Sequence, residues 1–201
     1  MKKAHITAIF RILPSYVIIA IFYLYTMQVN LYADESPVPP EAVPQVTQAE
    51  LDNFKVTLYT EDDTFPFESF VTLDGKPFDS TLLENKYILV NIWATWCPYC
   101  SRERPSLQHF YTQYTNESFT LLTISVGEQA ETVKTYIEEH EYQFPVILDT
   151  TNMLRKEYAQ RIPKTYIIDR EGRIIARIDG NKSWDEEQAI KIVRYLIPVL
   201  R

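Results

Sequence analysis

The sequence is poor in glycine and cysteine, and each shortage excludes a class of function. Only four glycines occur among 201 residues. Neither GxxxxGK[ST] nor GxGxxG is present, so the glycine loops that cradle nucleotide phosphates are missing. A net charge of -7 argues against a nucleic-acid-binding protein. A hydrophobic content of 46% with 23% charged residues is ordinary for a globular protein.

The chain has two cysteines, and both lie in the pentapeptide WCPYC at residues 96–100. Two cysteines cannot form a disulfide framework, and a bond over so short a loop adds little stability. The pentapeptide follows an apolar run, residues 87–93, and precedes a segment with helical spacing, residues 101–114. Free N–H groups and the dipole at a helix start stabilise a thiolate. The pair is therefore predicted to carry out thiol–disulfide exchange.

The first 33 residues have the pattern of a membrane-targeting segment. Lys2, Lys3 and Arg11 precede a mostly apolar stretch, residues 12–29. Its length lies between a long signal-peptide core and a short membrane span. We predict that residues 1–33 are an uncleaved signal anchor or a cleaved signal peptide. Both interpretations place the rest of the chain outside the cytoplasm, on the periplasmic side of the membrane.

The remaining chain divides into a linker and one domain. Residues 34–50 contain four prolines among small and acidic residues, which predicts a semi-extended linker. From residue 51 to residue 201, apolar runs of strand length alternate with segments of helical spacing. This order predicts an α/β domain with a mixed central sheet and helices on both faces.

Strands and helices can be placed from the apolar patterns. Strands are expected at residues 54–59, 87–93, 119–126 and 144–148, with hairpins at 70–78 and 165–178. Helices are expected at residues 101–114, 132–140, 153–159 and 184–200. The run at 87–93 is apolar throughout, which indicates a central strand buried on both faces.

Three segments make the chain resemble the thioredoxin-like thiol–disulfide oxidoreductases of the extracytoplasmic TlpA, ResA and CcmG branch. They are residues 89–105, which contain the CxxC pair, residues 144–149 and residues 162–169. The resemblance covers roughly residues 65–201. It implies a thioredoxin fold with an N-terminal β-hairpin and an added strand–helix insertion. It also implies that the redox-active disulfide Cys97–Cys100 serves without any cofactor.

The two thiols are expected to have different roles. Cys97 is nearer the helix start, so we predict that it is the more exposed and more acidic thiol and attacks the substrate. Cys100, one turn into the helix, is predicted to resolve the mixed disulfide. Glu103 lies one further turn along, where this branch often carries a glutamate. A buried carboxyl there would have a raised pKa and could carry a proton for Cys100; the alternative is a solvated surface glutamate.

Five residues are expected to form the substrate-binding wall around the thiols. The resemblance implies a cis peptide bond before Pro163, which would expose the backbone of Ile162 to a substrate strand. Trp96 is predicted to form part of the docking surface, with a plain core role as the alternative. Pro98 and Tyr99, between the cysteines, are expected to influence the reduction potential without fixing its value.

The resemblance implies a reductase of disulfides in exported proteins, with apocytochrome c among the candidate substrates and a membrane dithiol carrier as electron donor. An oxidase or isomerase of the same fold is the alternative, because the direction depends on the reduction potential. A metal site is not expected, since neither His109 nor His140 has zinc-motif spacing to the cysteines. A thiol-based copper-binding or chaperone module is the alternative from another class.

Overall fold

The computed structural model of the protein describes residues 43–200. The predicted membrane-targeting segment, residues 1–33, and most of the predicted linker lie outside this range. Within residues 43–200, no helix is both long enough and apolar enough to cross a membrane.

The described residues form a mixed sheet with α-helices. The strands are β1 (Val56–Leu58), β2 (Val71–Thr72), β3 (Tyr87–Trp93), β4 (Phe119–Val126), β5 (Val146–Asp149), β6 (Lys164–Ile168) and β7 (Ile174–Asp179). The helices are α1 (Gln48–Phe54), α2 (Pro98–Tyr114), α3 (Ala130–Glu139), α4 (Met153–Glu157) and α5 (Glu187–Leu196). Short 3-10 turns occupy Phe67–Ser69 and Ser80–Leu83.

Strand β3 lies in the middle of the sheet, whose order is β1-β7-β6-β3-β4-β5-β2. It runs parallel to β4 and antiparallel to β6. Its side chains alternate between two cores because successive residues of a strand point to opposite faces. Leu89 packs with residues of α1, α2 and α5, whereas Val90 packs with α4 and an aromatic loop around Phe65. The predictions of a central strand, a mixed sheet and a thioredoxin-like architecture are confirmed.

The N-terminal part of the domain differs from the prediction. A strand was expected over residues 54–59, but Phe54 ends helix α1 and the strand covers only Val56–Leu58. The helix begins at a capping box in which Thr47 and Glu50 each bond the other's backbone N–H. It ends where Lys55 adopts a left-handed conformation with φ of 60°. The helix therefore crosses residue 51, where the sequence pattern placed the start of the domain.

The predicted hairpin around Asp74-Gly75 is present, but only one arm joins the sheet. Gly75 has φ of 80°, which suits a turn that most side chains would strain. Val71 bridges Pro77 on the returning arm, and β2 pairs antiparallel with β5 at the sheet edge. The second predicted hairpin is formed by β6 and β7. The other predicted elements are confirmed within a few residues of their ends.

Candidate active site

The two cysteines lie at the junction between β3 and α2. Cys97 is the N-cap of α2, and Pro98 occupies the first helical turn, where its missing N–H is not needed. Cys97 and Cys100 form a disulfide with their Cα atoms 5.3 Å apart. The backbone N–H of Cys100 donates to Sγ of Cys97 at 3.2 Å. Cys97 is 4% exposed and Cys100 is fully buried, so the order of accessibility agrees with the predicted order of attack.

Ile162 and Pro163 face the first cysteine. The register of β3 and β6 places Ile92 opposite Lys164, so these two residues are level with the end of β3 and the residue after it. The peptide bond between Ile162 and Pro163 is cis, as the resemblance implies. The carbonyl oxygen of Ile162 lies 3.7 Å from Sγ of Cys97. The backbone predicted to meet a substrate strand is therefore next to the attacking sulfur.

Aromatic side chains form the outer rim of the cysteine pair. Trp96 and Tyr99 are 53% and 56% exposed, which rules out a plain core role for Trp96. Their rings are each covered by a guanidinium 5.0 Å from the ring centroid, Arg155 over Trp96 and Arg102 over Tyr99. Pro98 is also exposed. The predicted substrate-binding residues therefore surround Cys97, and their role in binding stays a prediction.

Glu103 is buried, so the alternative of a solvated surface glutamate is wrong. Its side chain is 1% exposed and lies in α2 one turn after Cys100. Its carboxylate oxygens accept four hydrogen bonds, from Asn91 Nδ2 at 2.8 Å, Arg104 Nη2 at 3.0 Å, the Lys182 backbone N–H at 3.1 Å and Trp184 Nε1 at 3.3 Å. Burial raises the pKa of Glu103 against the opposing effect of the neighbouring Arg104 cation. A carboxyl with a raised pKa is suited to proton transfer near neutral pH.

Arg104 was not recognised as a site residue from the sequence, where it looks like a solvent-facing neighbour of Arg102. Its side chain is fully buried and pairs with Glu103 at 3.0 Å. Its guanidinium lies over the rings of Trp93 and Phe144, at 4.6 and 5.5 Å from their centroids. Nε and Nη1 find no hydrogen-bond partner within residues 43–200. A cation is therefore held beside the proposed proton carrier.

Asn91 connects the Glu103–Arg104 ion pair to the sheet through hydrogen bonds. It lies on β3, is fully buried, and accepts a hydrogen bond from Arg104 at Oδ1. Its Nδ2 donates to Glu103 and to the hydroxyl of Thr165 on β6 at 3.0 Å. Because an amide cannot titrate in this range, Asn91 positions the carboxyl without competing for its proton.

Glu128 holds the segment that leads into the cysteines, and sequence reasoning missed it. Its carboxylate accepts from the backbone N–H of Thr95 at 2.9 Å, from the Thr95 hydroxyl, and from the Ser125 hydroxyl at 2.6 Å. It thereby links the ends of β3 and β4. The only sequence signal is an acidic residue in the loop after a buried strand, which many surface loops share.

The arrangement is chemically complete for disulfide exchange. It has an accessible sulfur, a buried second sulfur, a buried carboxyl one turn away and a backbone edge for the substrate. Within residues 43–200, no group of three or more His, Cys, Asp or Glu side chains is arranged to hold a metal. Fold and site together define a thiol–disulfide oxidoreductase of the thioredoxin fold.

Comparison with known proteins gives the family. A family model described as Redoxin matches residues 47–193, and the chain belongs to this family. The thiol-disulfide oxidoreductase ResA of Bacillus thuringiensis subsp. konkukian is 26% identical over 127 residues, which are 63% of this chain and 72% of ResA.

Solved structures agree with this assignment. A thiol:disulfide interchange protein from Chlorobium tepidum TLS has a TM-score of 0.52 and 31% identity, covering 65% of this chain and 97% of that one. The thioredoxin domain of a thiol-disulfide oxidoreductase from Bacteroides vulgatus has a TM-score of 0.57 and 22% identity, covering 69% of this chain and 99% of that one. At that lower identity the likeness shows the fold alone.

Proposed function

We propose that this protein reduces disulfide bonds in exported proteins on the outer side of a membrane. The observation that carries the proposal is the position of the cysteine pair. Cys97 begins helix α2 beside the Ile162 carbonyl, with Cys100 and Glu103 buried behind it. This arrangement separates an accessible attacking sulfur from a protected resolving one, as two-step exchange requires.

The reaction starts from the dithiol form. The Cys97 thiolate attacks one sulfur of a substrate disulfide, whose S–S bond breaks, and the departing substrate sulfur takes up a proton. Cys97 is then joined to the substrate by a mixed disulfide. Cys100 loses its proton and attacks Sγ of Cys97, which releases the second substrate sulfur as a thiol. Two electrons have passed to the substrate, and the Cys97–Cys100 disulfide must be reduced again by a dithiol donor.

Glu103 is proposed to accept the proton of Cys100 in the resolving step. Cys100 is fully buried, so bulk water does not reach its sulfur. Residues three apart in a helix are neighbours on one face, and Glu103 follows Cys100 by three residues in α2. The raised pKa of Glu103 makes its carboxylate a stronger base than that of an exposed glutamate.

The reducing direction is supported by the same carboxyl. A pair becomes oxidising when its site stabilises the reduced, thiolate form. Here a buried carboxyl lies one turn from Cys100, and its ionised form opposes a thiolate there by like-charge repulsion. The dithiol form therefore gains less stabilisation, which favours passing electrons to a substrate.

The compartment and the partners come from the sequence rather than from the described residues. The pattern of residues 1–33 supports a signal anchor or signal peptide, and thus a domain on the periplasmic side. In an oxidising compartment a dithiol must be regenerated. We therefore include a membrane dithiol carrier as electron donor and disulfide-containing exported proteins, apocytochrome c among them, as substrates.

Trapping tests the proposal. Cys100→Ser should leave substrates attached to Cys97, because resolution is blocked after the first attack. We expect mixed disulfides with exported proteins that disappear on addition of dithiothreitol. The matched control is Cys97→Ser, which should trap nothing. Equal trapping by both variants would contradict the proposed order of attack, and no trapping by either would contradict the function.

An oxidase is the second candidate, and one observation favours it. The Cys100 N–H points at Sγ of Cys97 at 3.2 Å, and two exposed guanidinium groups cover the adjacent aromatic rings. Both features would stabilise a thiolate at Cys97 and raise the reduction potential. The balance between these groups and Glu103 decides the direction, and the reduction potential measures that balance.

A further inference from the structure

We propose that the rim of the active site selects an acidic segment of the partner protein, through Arg102 and Arg155. This inference rests on the proposed exchange function and names the chemistry of the partner that the same site receives. Each arginine places its guanidinium carbon 5.0 Å from the ring centroid of the aromatic residue that directly precedes a cysteine: Arg155 over Trp96 and Arg102 over Tyr99.

Stacking leaves the edge of each guanidinium available. A guanidinium lying over an aromatic ring is attracted to the ring face, while its N–H groups point outward in the plane. Those N–H groups match the two oxygens of a carboxylate. Because the rings lie before Cys97 and before Cys100, a partner that contacts both arginines also covers the disulfide.

The charge near the site is opposite to the charge of the whole chain. Residues 96–102 and 155–161 together carry four basic residues and one acidic residue, whereas the chain has a net charge of -7. The basic side chains Arg102, Arg155 and Arg161 are exposed. On the other side, near Thr95, the exposed charges are Glu131 and Glu139. This asymmetry steers and orients an acidic partner, which the rest of the surface repels.

A protein segment fits this surface better than a membrane does. The sulfur of a substrate must come into bonding contact with Cys97, which is 4% exposed and lies beside the Ile162 carbonyl. A lipid surface held by the same arginines would cover the cysteines and block exchange. The occupant is therefore a disulfide-bearing peptide segment with Asp or Glu beside the disulfide.

Three peptides test the proposal. They share one disulfide loop and differ only in flanking residues, which are glutamate, glutamine or lysine. Stopped-flow fluorescence with the reduced full-length protein in detergent gives the rate constant for each. We expect the glutamate peptide to react about tenfold faster than the glutamine peptide, the lysine peptide to react slowest, and the differences to shrink as salt is added.

The variants identify the residues responsible. In the double variant Arg102→Gln/Arg155→Gln, the ratio of the glutamate to the glutamine rate should fall toward one. Arg170→Gln is the matched control, because Arg170 also stacks on an aromatic ring, that of Tyr87 at the opposite end of β3. An unchanged ratio in the double variant, or an equal fall in Arg170→Gln, would overturn the proposal.

Binding without chemistry separates this inference from the proposed function. The double variant Cys97→Ser/Cys100→Ser cannot exchange, and anisotropy of labelled peptides reports docking alone. Suppose that the double cysteine variant binds the glutamate peptide preferentially but the wild type exchanges with no peptide. This result would support the docking surface and contradict the reductase function. Exchange at equal rates with all three peptides would support the proposed exchange function and contradict the acidic docking surface. Arginine-dependent binding to phosphatidylcholine–phosphatidylglycerol vesicles without peptide selectivity would assign the rim to lipid and overturn the proposal.

Discussion

Glu103 and Arg104 are adjacent in the chain and both are buried, which is unusual for charged residues. Burial raises the pKa of Glu103 and lowers that of Arg104, so desolvation outweighs their mutual attraction. Burying an ion pair is often no better for stability than an apolar pair. We therefore propose that the site carries these charges for the proton transfer assigned to Glu103.

Replacing Glu103 tests that role directly. Glu103→Gln keeps the size of the side chain but cannot accept a proton, so resolution by Cys100 should slow about 100-fold at neutral pH. Stopped-flow measurement of substrate release from the mixed disulfide checks this. Glu117→Gln, which changes an exposed glutamate, should release substrate at the wild-type rate. Equal rates for Glu103→Gln and wild type would remove Glu103 from the mechanism.

The pH dependence of stability gives an independent prediction. Free glutamic acid has a pKa of about 4.3, and burial raises the pKa of Glu103 in the folded state. The folded protein therefore binds the proton more tightly than the unfolded chain does. As pH rises from about 4 through the folded pKa, the wild type should lose stability relative to Glu103→Gln. Denaturant unfolding of both oxidised proteins across this range measures the difference. If the wild type instead gains stability relative to Glu103→Gln as pH rises, the ion pair with Arg104 outweighs burial in setting the pKa of Glu103.

Arg104 should set the pH at which Glu103 works. Its cation favours the ionised carboxylate, so Arg104→Met should raise the pKa of Glu103 further. The rising limb of the resolving rate against pH should then move to higher pH. Arg170→Met, which removes an exposed arginine at the opposite end of β3, is the control for loss of a positive charge. Superimposable profiles for Arg104→Met and wild type would contradict this role.

At the scale of secondary structure, the site depends on the ends of β3 and β4 being held together. Glu128 does this by accepting three hydrogen bonds from Thr95 and Ser125. Glu128→Ala leaves those donors without their partner, so we expect a loss of about 1–3 kcal/mol in the free energy of unfolding. Urea denaturation measures it, with Glu117→Ala as the control. A loss no larger than that of the control would show that the loop holds its conformation without Glu128.

Most elements could be predicted because their apolar patterns are local. The runs that became β3 and β4 match their predicted limits. Helix α1 was missed because its capping box at Thr47 and Glu50 lies within a stretch that its prolines marked as linker. The buried Arg104 was missed for another reason: only the tertiary packing of Trp93 and Phe144 around it makes an arginine tolerable there. A pattern of charges along the chain carries no such information.

The site could be predicted in part. The order of the cysteines and the two residues facing them were predicted from the motif and the resemblance. The hydrogen-bond donors to Glu103 were not predicted. Asn91 comes from β3, whereas Lys182 and Trp184 come from the segment after β7. These segments are distant in sequence, and only the folded domain brings them together.

At the scale of the whole molecule, redox state and stability are linked. Folding and reduction of the cysteine pair form one thermodynamic cycle. If the pair is reducing, the disulfide therefore stabilises the folded protein more than the dithiol does. The oxidised protein should therefore unfold at a higher denaturant concentration than the reduced protein. Guanidinium unfolding of the two forms measures this. A more stable reduced form would be the behaviour of an oxidant.

The reduction potential of the Cys97–Cys100 pair tests the account most directly. Proteins of this fold range from about -270 mV for strong reductants to about -120 mV for strong oxidants. Equilibration of the full-length protein with glutathione, or with a more reducing dithiol couple, gives the value by thiol trapping. The reductase account predicts a potential near the -270 mV end of that range, and a value near -120 mV would contradict it.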